Sequence, residues 1–234
     1  MNITLIILGI VILVLMYVLY KYFSVSASTL QSTAYLKTVN PPITSIQNPT
    51  NSRYAYGIWA YINTWDANAT KVIFSRAGNI KLYMDNFAPI LKCDFTMIDK
   101  SIQTLFVTDN FPLQKWVFII VSVDGQYVDF YLDGKLVKSQ RLYSTDSKAT
   151  PTAKTLTPAT PPDSDVPIIL GSATPFDAYV ANFQRWISPV DPQTAWSAYM
   201  AGNGGSSIAN TVSAYGVNVS VLKNNIEQSK YVLF

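Results

Sequence analysis

Two Asp-Gly pairs, at Asp124-Gly125 and Asp133-Gly134, constrain this chain more than any other feature. Before the first pair stands Trp116-Val117-Phe118-Ile119-Ile120-Val121-Ser122-Val123, a continuous apolar stretch of strand-forming residues. Between the pairs lies Tyr127-Val128-Asp129-Phe130-Tyr131-Leu132, and after the second comes Lys135-Leu136-Val137. Asp and Gly tolerate the positive φ that two-residue hairpin turns demand. The segment therefore predicts a three-stranded antiparallel meander. The 15 Tyr, 11 Phe and 5 Trp suit pleated surfaces, so the expected class is all-β.

Further short strands are expected over Tyr54–Ile62, Lys71–Ser75, Ile80–Met84, Leu91–Met97, Gln103–Thr108, Val166–Gly171, Tyr179–Ile187 and Val217–Leu222. Asp191-Pro192 has the form of a helix N-cap followed by proline in the first turn, and Gly202 closes that helix. Trp196, Tyr199 and Met200, at i, i+3 and i+4, are expected to pack it onto the sheets. Residues 143–165 form a Pro/Thr/Ser-rich stretch with little apolar content, expected to be a long surface loop that is flexible unless a partner orders it.

The N-terminus is of another kind. Residues 3–20 read ITLIILGIVILVLMYVLY, without charge until Lys21. About 20 such residues span a bilayer core of about 30 Å as a helix. A leader peptide would carry a basic start and a shorter apolar core. Met1-Asn2 has no base, so the run is read as a retained anchor, with Ile3, Leu8, Ile12, Leu15 and Leu19 in the lipid and Tyr20 and Lys21 at its surface. The expected organisation is an anchor over 1–23, a linker over 24–50 with a short helix at Ser28–Lys37, and a β-domain over 51–234. Lys21 and Lys37 follow the span and no base precedes it, which places the domain on the cytosolic side. The lone Cys93 agrees, because it has no partner for an intrachain disulfide. Asn68-Ala69-Thr70 and Asn218-Val219-Ser220 match glycosylation sequons but matter only on the lumenal side.

Gly57-Ile58-Trp59, Trp116-Val117, Phe130-Tyr131-Leu132-Asp133-Gly134, Ile169-Leu170-Gly171 and Asn182-Phe183-Gln184-Arg185-Trp186 follow one another in a fixed order, ahead of the Trp196 helix. In that order they resemble a laminin-G-like, or concanavalin A-like lectin/glucanase, antiparallel jelly roll over roughly residues 54–205. The resemblance implies structural roles for Trp59, Trp116, Asp124, Gly125, Asp133, Gly134, Trp186 and Trp196. A narrower resemblance joins the anchor, Pro112–Val117, Tyr131–Val137, Ala201–Ser206 and Tyr215–Asn225 to membrane-anchored proteins of large double-stranded DNA viruses that infect algae and amoebae. It implies a minor capsid protein between an internal membrane and the capsid shell, with lipid and other capsid or scaffold proteins as partners. The 143–165 insertion departs from the compact family pattern.

Catalysis finds few candidates. The chain has no His, which removes the usual nucleophile pairs and imidazole metal sites. Its single Glu, Glu227, lies outside the matched region, against the paired carboxylates a glycosidase needs. Asp129 and Asp133 sit four apart, and Asp133 is read as a turn residue. Cys93 is read as a small buried hydrophobe. A net charge of +3 without a basic run gives no nucleic-acid footprint. No cofactor is expected. Relatives implied by the resemblance bind Ca²⁺ at a sheet rim, for which Asp94, Asp99, Asp109 and Asp177 are the loop candidates, and a lectin-like glycan site remains the alternative to protein docking.

Overall fold

The computed structural model describes residues 8–17, 27–66, 70–144, 154–155, 157–204, 218–223 and 226–232. A helix, α1, covers residues 8–17 and carries Leu8, Ile12 and Leu15 with exposed side chains. No helix among the described residues is long and apolar enough to cross a membrane. Ile3, Leu19, Tyr20 and Lys21 lie outside the described residues.

The strands are β1 (Ser28–Tyr35), β2 (Arg53–Ile62), β3 (Lys71–Arg76), β4 (Ile80–Met84), β5 (Leu91–Thr96), β6 (Ile102–Thr108), β7 (Trp116–Asp124), β8 (Tyr127–Leu132) and β9 (Lys135–Arg141). They continue as β10 (Tyr143–Ser144), β11 (Lys154–Thr155), β12 (Ile168–Leu170) and β13 (Ala178–Trp186), followed by helix α2 (Pro192–Met200), then β14 (Asn218–Lys223) and β15 (Ile226–Val232). Two antiparallel sheets form a sandwich: six strands in the order β1-β13-β2-β7-β8-β9, and five in the order β12-β3-β4-β5-β6. β10 pairs with β11, and β14 with β15, as separate ribbons.

Alternation explains the core. Tyr54, Tyr56, Ile58, Val117, Ile119, Val121, Val128 and Phe130 point between the sheets and meet Phe74, Leu82, Cys93 and Phe95 from the other side. The intervening residues of the central strands, among them Trp59, Phe118, Ile120 and Tyr131, are buried as well, beneath α2 and Val190. β7 is thus covered on both faces, which is why its sequence is continuously apolar rather than alternating.

The meander forms as expected, with one change at the first turn. Asp133 (φ 48°) and Gly134 (φ 74°) make the second hairpin with both central residues left-handed. At the first hairpin, Asp124 remains in β7 opposite Tyr127, and Gly125 (φ 60°) with Gln126 makes the turn. Asp124 also stands opposite Arg53 of β2 in the ladder and forms an exposed ion pair with it (2.7 Å).

The stretch before β2 differs more. The helix expected over Ser28–Lys37 is instead β1, an edge strand of Ser, Thr and Gln that completes the sheet beside β13. Beyond it Leu36, Ile43 and Ile46 are buried, and Ile43 bridges to Ile168. Two buried arginines fix this segment. Arg185 donates to the carbonyls of Gln47 and Asn48 and lies over the rings of Tyr54 and Tyr56. Arg76 reaches the Pro49 carbonyl (3.0 Å). Residues 28–50 therefore belong to the sandwich rather than linking to it. The end of the long loop is likewise docked: Met97 bridges to Pro158, Ala159 N–H donates to Thr96 O (2.8 Å), and Arg76 holds the carbonyls of Pro162 and Asp163. Residues 145–153 of that loop are outside the described set.

The Asp191 side chain accepts from Thr194 N–H (2.7 Å) and starts α2, while Gly202 (φ 79°) follows its end. The inward face differs from expectation. Ala195, Ala198 and Tyr199 pack on the sheet, whereas Trp196 is 46% and Met200 65% exposed. The cap sets the helical phase, and 100° per residue then turns positions 195, 198 and 199 inward together.

Candidate functional site: an aromatic groove on the six-stranded sheet

The register brings together four aromatic residues that are far apart in sequence. Tyr35 of β1 stands opposite Tyr179 of β13, Tyr179 opposite Tyr61 of β2, and Tyr61 opposite Trp116 of β7. The result is a row of rings running straight across four strands on the outer face. Tyr35 and Tyr179 stack with centroids 4.5 Å apart, and Tyr61 lies 5.5 Å from Trp116. The neighbouring row begins with small side chains at the same edge, Thr33 opposite Ala181, before reaching Trp59 and Phe118. Large beside small leaves a hollow. It is a groove of about 610 Å³ whose lining includes Tyr35, Tyr179, Trp116, Thr33, Ala181 and Asn182.

Local irregularities supply its polar end. A bulge in β13 between Ala181 and Gln184 leaves Asn182 with φ 45°, the kind of kink that re-aims a side chain. Its side-chain amide donates to Gly202 O (3.2 Å), tying the groove to the loop after α2, where Asn203 and Gly204 complete the lining. At the opposite end Tyr35 O–H donates to Asp177 Oδ1 (3.1 Å), and Asn63 (2.8 Å) and Thr64 (3.3 Å) donate to Oδ2. These donors, Asn63 foremost, hold the Asp177 carboxyl below its ordinary range, while burial followed by the Asp177 bond pushes the Tyr35 phenol up. Beyond Asp177 opens a smaller polar cleft of about 300 Å³ containing Asp66, Lys71 and Lys37.

The residues singled out from sequence shape or support this face. Trp116 is the end of the row. Trp59 stacks on Phe118 and on Tyr199 of α2 (5.1 and 5.5 Å). Trp186 covers Gly57, where an added Cβ would lie 2.7 Å from its ring. Trp196 leans on the Gly134 turn rather than filling a core. Asp133 accepts from Phe118 N–H (2.9 Å) and faces Lys115 (3.5 Å), so it is bound to the structure and not set against Asp129 in a cleft. Cys93 is fully buried, and burial pushes its thiol well up. The row itself is missed by sequence reasoning, because register cannot be read from composition.

The calcium candidates are dispersed. Asp94 is in β5 rather than a loop and accepts from Tyr83 and Thr104 (3.0 and 2.7 Å). Asp99 closes its own turn through Ser101, and Asp177 is engaged as described. Among the described residues no group of three or more His, Cys, Asp or Glu is placed to hold a metal ion. The groove lining holds no carboxylate among the described residues either.

A family model described as the concanavalin A-like lectin/glucanases superfamily matches residues 30–194, well over half of the chain. The chain belongs to this superfamily. The match begins inside β1, in agreement with that strand's place in the sheet. No curated protein matches the sequence. Among solved structures, the superfamily fold is shared with a botulinum neurotoxin serotype D ligand binding domain in complex with N-acetylneuraminic acid (TM-score 0.52, 14% identity, 76% of this chain and 44% of that one). The receptor binding domain of botulinum neurotoxin D is similar (TM-score 0.51, 11% identity, 76% and 46%). This chain spans less than half the length of those chains. At such identities the likeness is one of fold.

Proposed function

We propose that the protein is a non-enzymatic docking module held at a membrane by residues 3–20, with its aromatic groove as the contact surface. The in-register row of Tyr35, Tyr179, Tyr61 and Trp116 carries this reading. Tyr and Trp that are partly exposed, rigid and neighbouring one another form the centres of protein interfaces. The apolar run supports the anchor, and Lys21 and Lys37 support a cytosolic domain. With the resemblance to anchored virion proteins, the setting is a minor capsid component joining an internal membrane to the capsid shell through protein contacts. The test is extraction of purified particles. The protein should stay with the membrane through a high-salt wash and leave with detergent. Absence from particles refutes the capsid setting, and release by salt alone refutes the anchor. Tyr179→Ala together with Trp116→Ala should leave the protein in the membrane but lower its incorporation into particles.

One observation favours a second reading. The surface is a groove, within the range of about 300–1,000 Å³ typical of small-ligand sites, and aromatic walls with asparagine at one end suit the apolar face and hydroxyls of a sugar ring. Saturable binding on a glycan array, lost in Tyr179→Ala, establishes this reading; a blank array removes it.

A further inference from the structure

The aromatic groove is neutral although charge stands at both of its ends. Among its described lining residues there is no Asp, Glu, Lys or Arg. Beyond Tyr35 come Asp177, which accepts the Tyr35 hydroxyl, and Lys37 of the adjoining cleft. Next to Trp116 in sequence is Lys115, engaged with Asp133 (3.5 Å). An ion seated between these ends would give up its water without gaining a counter-charge. The groove therefore suits an uncharged occupant. Its place on the ladder also sets a period. The groove crosses the strands, from Tyr35 on β1 past Tyr179 on β13 to Trp116 on β7. Neighbouring strands lie about 4.8 Å apart, so the strands of Tyr179 and Trp116, two ladder steps apart, are separated by about 9.5 Å. A polyproline II helix turns once in three residues of about 3.1 Å, or about 9.3 Å per turn. Its residues i and i+3 meet Tyr179 and Trp116 together. An extended strand repeats every two residues, about 6.6 Å, and falls out of step. An α-helix bonds its backbone groups within itself, whereas this lining offers hydroxyls, those of Ser32, Thr33 and Tyr179 among them. Polyproline II has no internal hydrogen bonds and keeps its carbonyls open to such donors.

We propose, resting on the docking reading of this face, that the groove binds an uncharged, proline-rich segment of a partner protein in the polyproline II conformation. The segment lies across the strands, with prolines i and i+3 against Tyr179 and Trp116. Proline rings pack on the faces of Tyr and Trp, and a segment that is stiff before it binds loses little freedom on docking. The hydroxyls of the lining donate to the carbonyls between the prolines. The charged residues at the two ends then limit the segment to the length of the ring row, about three ladder steps or about 14 Å, which is about one and a half turns of such a helix.

Fluorescence anisotropy of the full chain in detergent tests this, with a labelled peptide of two Pro-x-x-Pro repeats and no charged residue as the probe. Binding should saturate. It should weaken at least about tenfold when the prolines are replaced by alanine, and likewise when a Glu is placed between them. Thr33→Phe, at an exposed position, should fill the groove from its edge and weaken binding by a similar factor; Tyr179→Ala should do the same by removing a ring. No saturation by about 1 mM peptide overturns the proposal, and so does equal binding of the alanine peptide or indifference to Thr33→Phe. Binding of cellohexaose without binding of the peptide assigns the groove to a sugar and overturns it too. Particle incorporation reads the docking separately. If Tyr179→Ala with Trp116→Ala lowers incorporation while no peptide binds, docking stands and the proline segment is refuted. Peptide binding with unchanged incorporation refutes the capsid setting and leaves the proline segment standing.

Discussion

Replacing Arg76 should be among the most damaging single changes in the molecule. The side chain is almost fully buried and, among the described residues, forms no ion pair with a carboxylate. Its guanidinium instead donates to four backbone carbonyls: Nε to Val166 (3.1 Å), Nη1 to Pro49 (3.0 Å), and Nη2 to Pro162 (2.7 Å) and Asp163 (3.0 Å). These bonds pin both the segment before β2 and the end of the long loop to β3. A hydrogen bond to a charged group contributes about 1.5–3 kcal/mol. Simple addition over four gives too large a total, because water reaches some of the carbonyls once the side chain is gone. A loss of about 3–5 kcal/mol is expected for Arg76→Ala, below the four-bond sum but above the roughly 1–3 kcal/mol of a single buried acceptor left unsatisfied. At roughly 2–4 °C per kcal/mol for a domain of this size, the melting temperature should fall by on the order of 10 °C. Arg76→Lys keeps the charge but replaces a planar fork with a point donor, and should recover less than half of the loss. Thermal unfolding of the full chain in detergent, followed by near-ultraviolet circular dichroism, gives both values. Arg76→Ala melting within about 1 °C of the parent would refute the clamp, since even one lost charged bond predicts more.

Gly57→Ala places a Cβ 2.7 and 2.8 Å from Trp186 and 3.1 Å from Phe118; it should cost about 1–3 kcal/mol in a denaturant titration and shift the Trp fluorescence. Asp191→Ala removes the cap of α2 and should cost about 1 kcal/mol, with a larger cost arguing that the helix is needed to cover Trp59. Alkali should act through Tyr83 and Tyr131, whose phenols are pushed up to about 12, chiefly by burial. The folded state keeps these protons where the unfolded chain, with its ordinary value of about 10, has lost them. Their contribution is therefore complete below pH 10 and declines from there to about pH 12, which ultraviolet titration against melting temperature will show; constant stability across that window contradicts the assignment.

The sandwich was legible wherever local chemistry dictates local structure. Asp133-Gly134 can hardly be anything but a tight hairpin, and Asp191-Pro192 declares a helix start in the sequence itself. Asp124 sits one position further into the strand than its Asp-Gly pair suggests, because its pairing with Arg53 is long-range. β1 departs from the expected helix for a deeper reason. Ser-Thr-Leu-Gln-Ser-Thr-Ala-Tyr has no decisive period, and it becomes a strand because β13 offers it an open edge. Nothing near Arg76 or Arg185 in sequence announces their burial, because the backbone carbonyls that accept them come from two distant stretches, residues 47–49 and 162–166. The aromatic groove was hidden in the same way. Each of Tyr35, Tyr61, Trp116 and Tyr179 was visible, yet only the ladder register turns them into a row.

The placement of β1 has a mechanical consequence. Any pull arriving from the N-terminal side enters the domain at Ser28 and is carried by one strand that, among the described residues, is bonded along a single flank. Tension along its axis loads the β1–β13 bonds in shear, all together, whereas tension across it peels them in turn from the Ser28 end. That same strand supplies Tyr35 and Thr33 to the groove. A partner bound in the groove and any load on the N-terminal side would thus strain against each other through one ladder, and the direction of the force would decide whether the grip holds or the contact surface is taken apart.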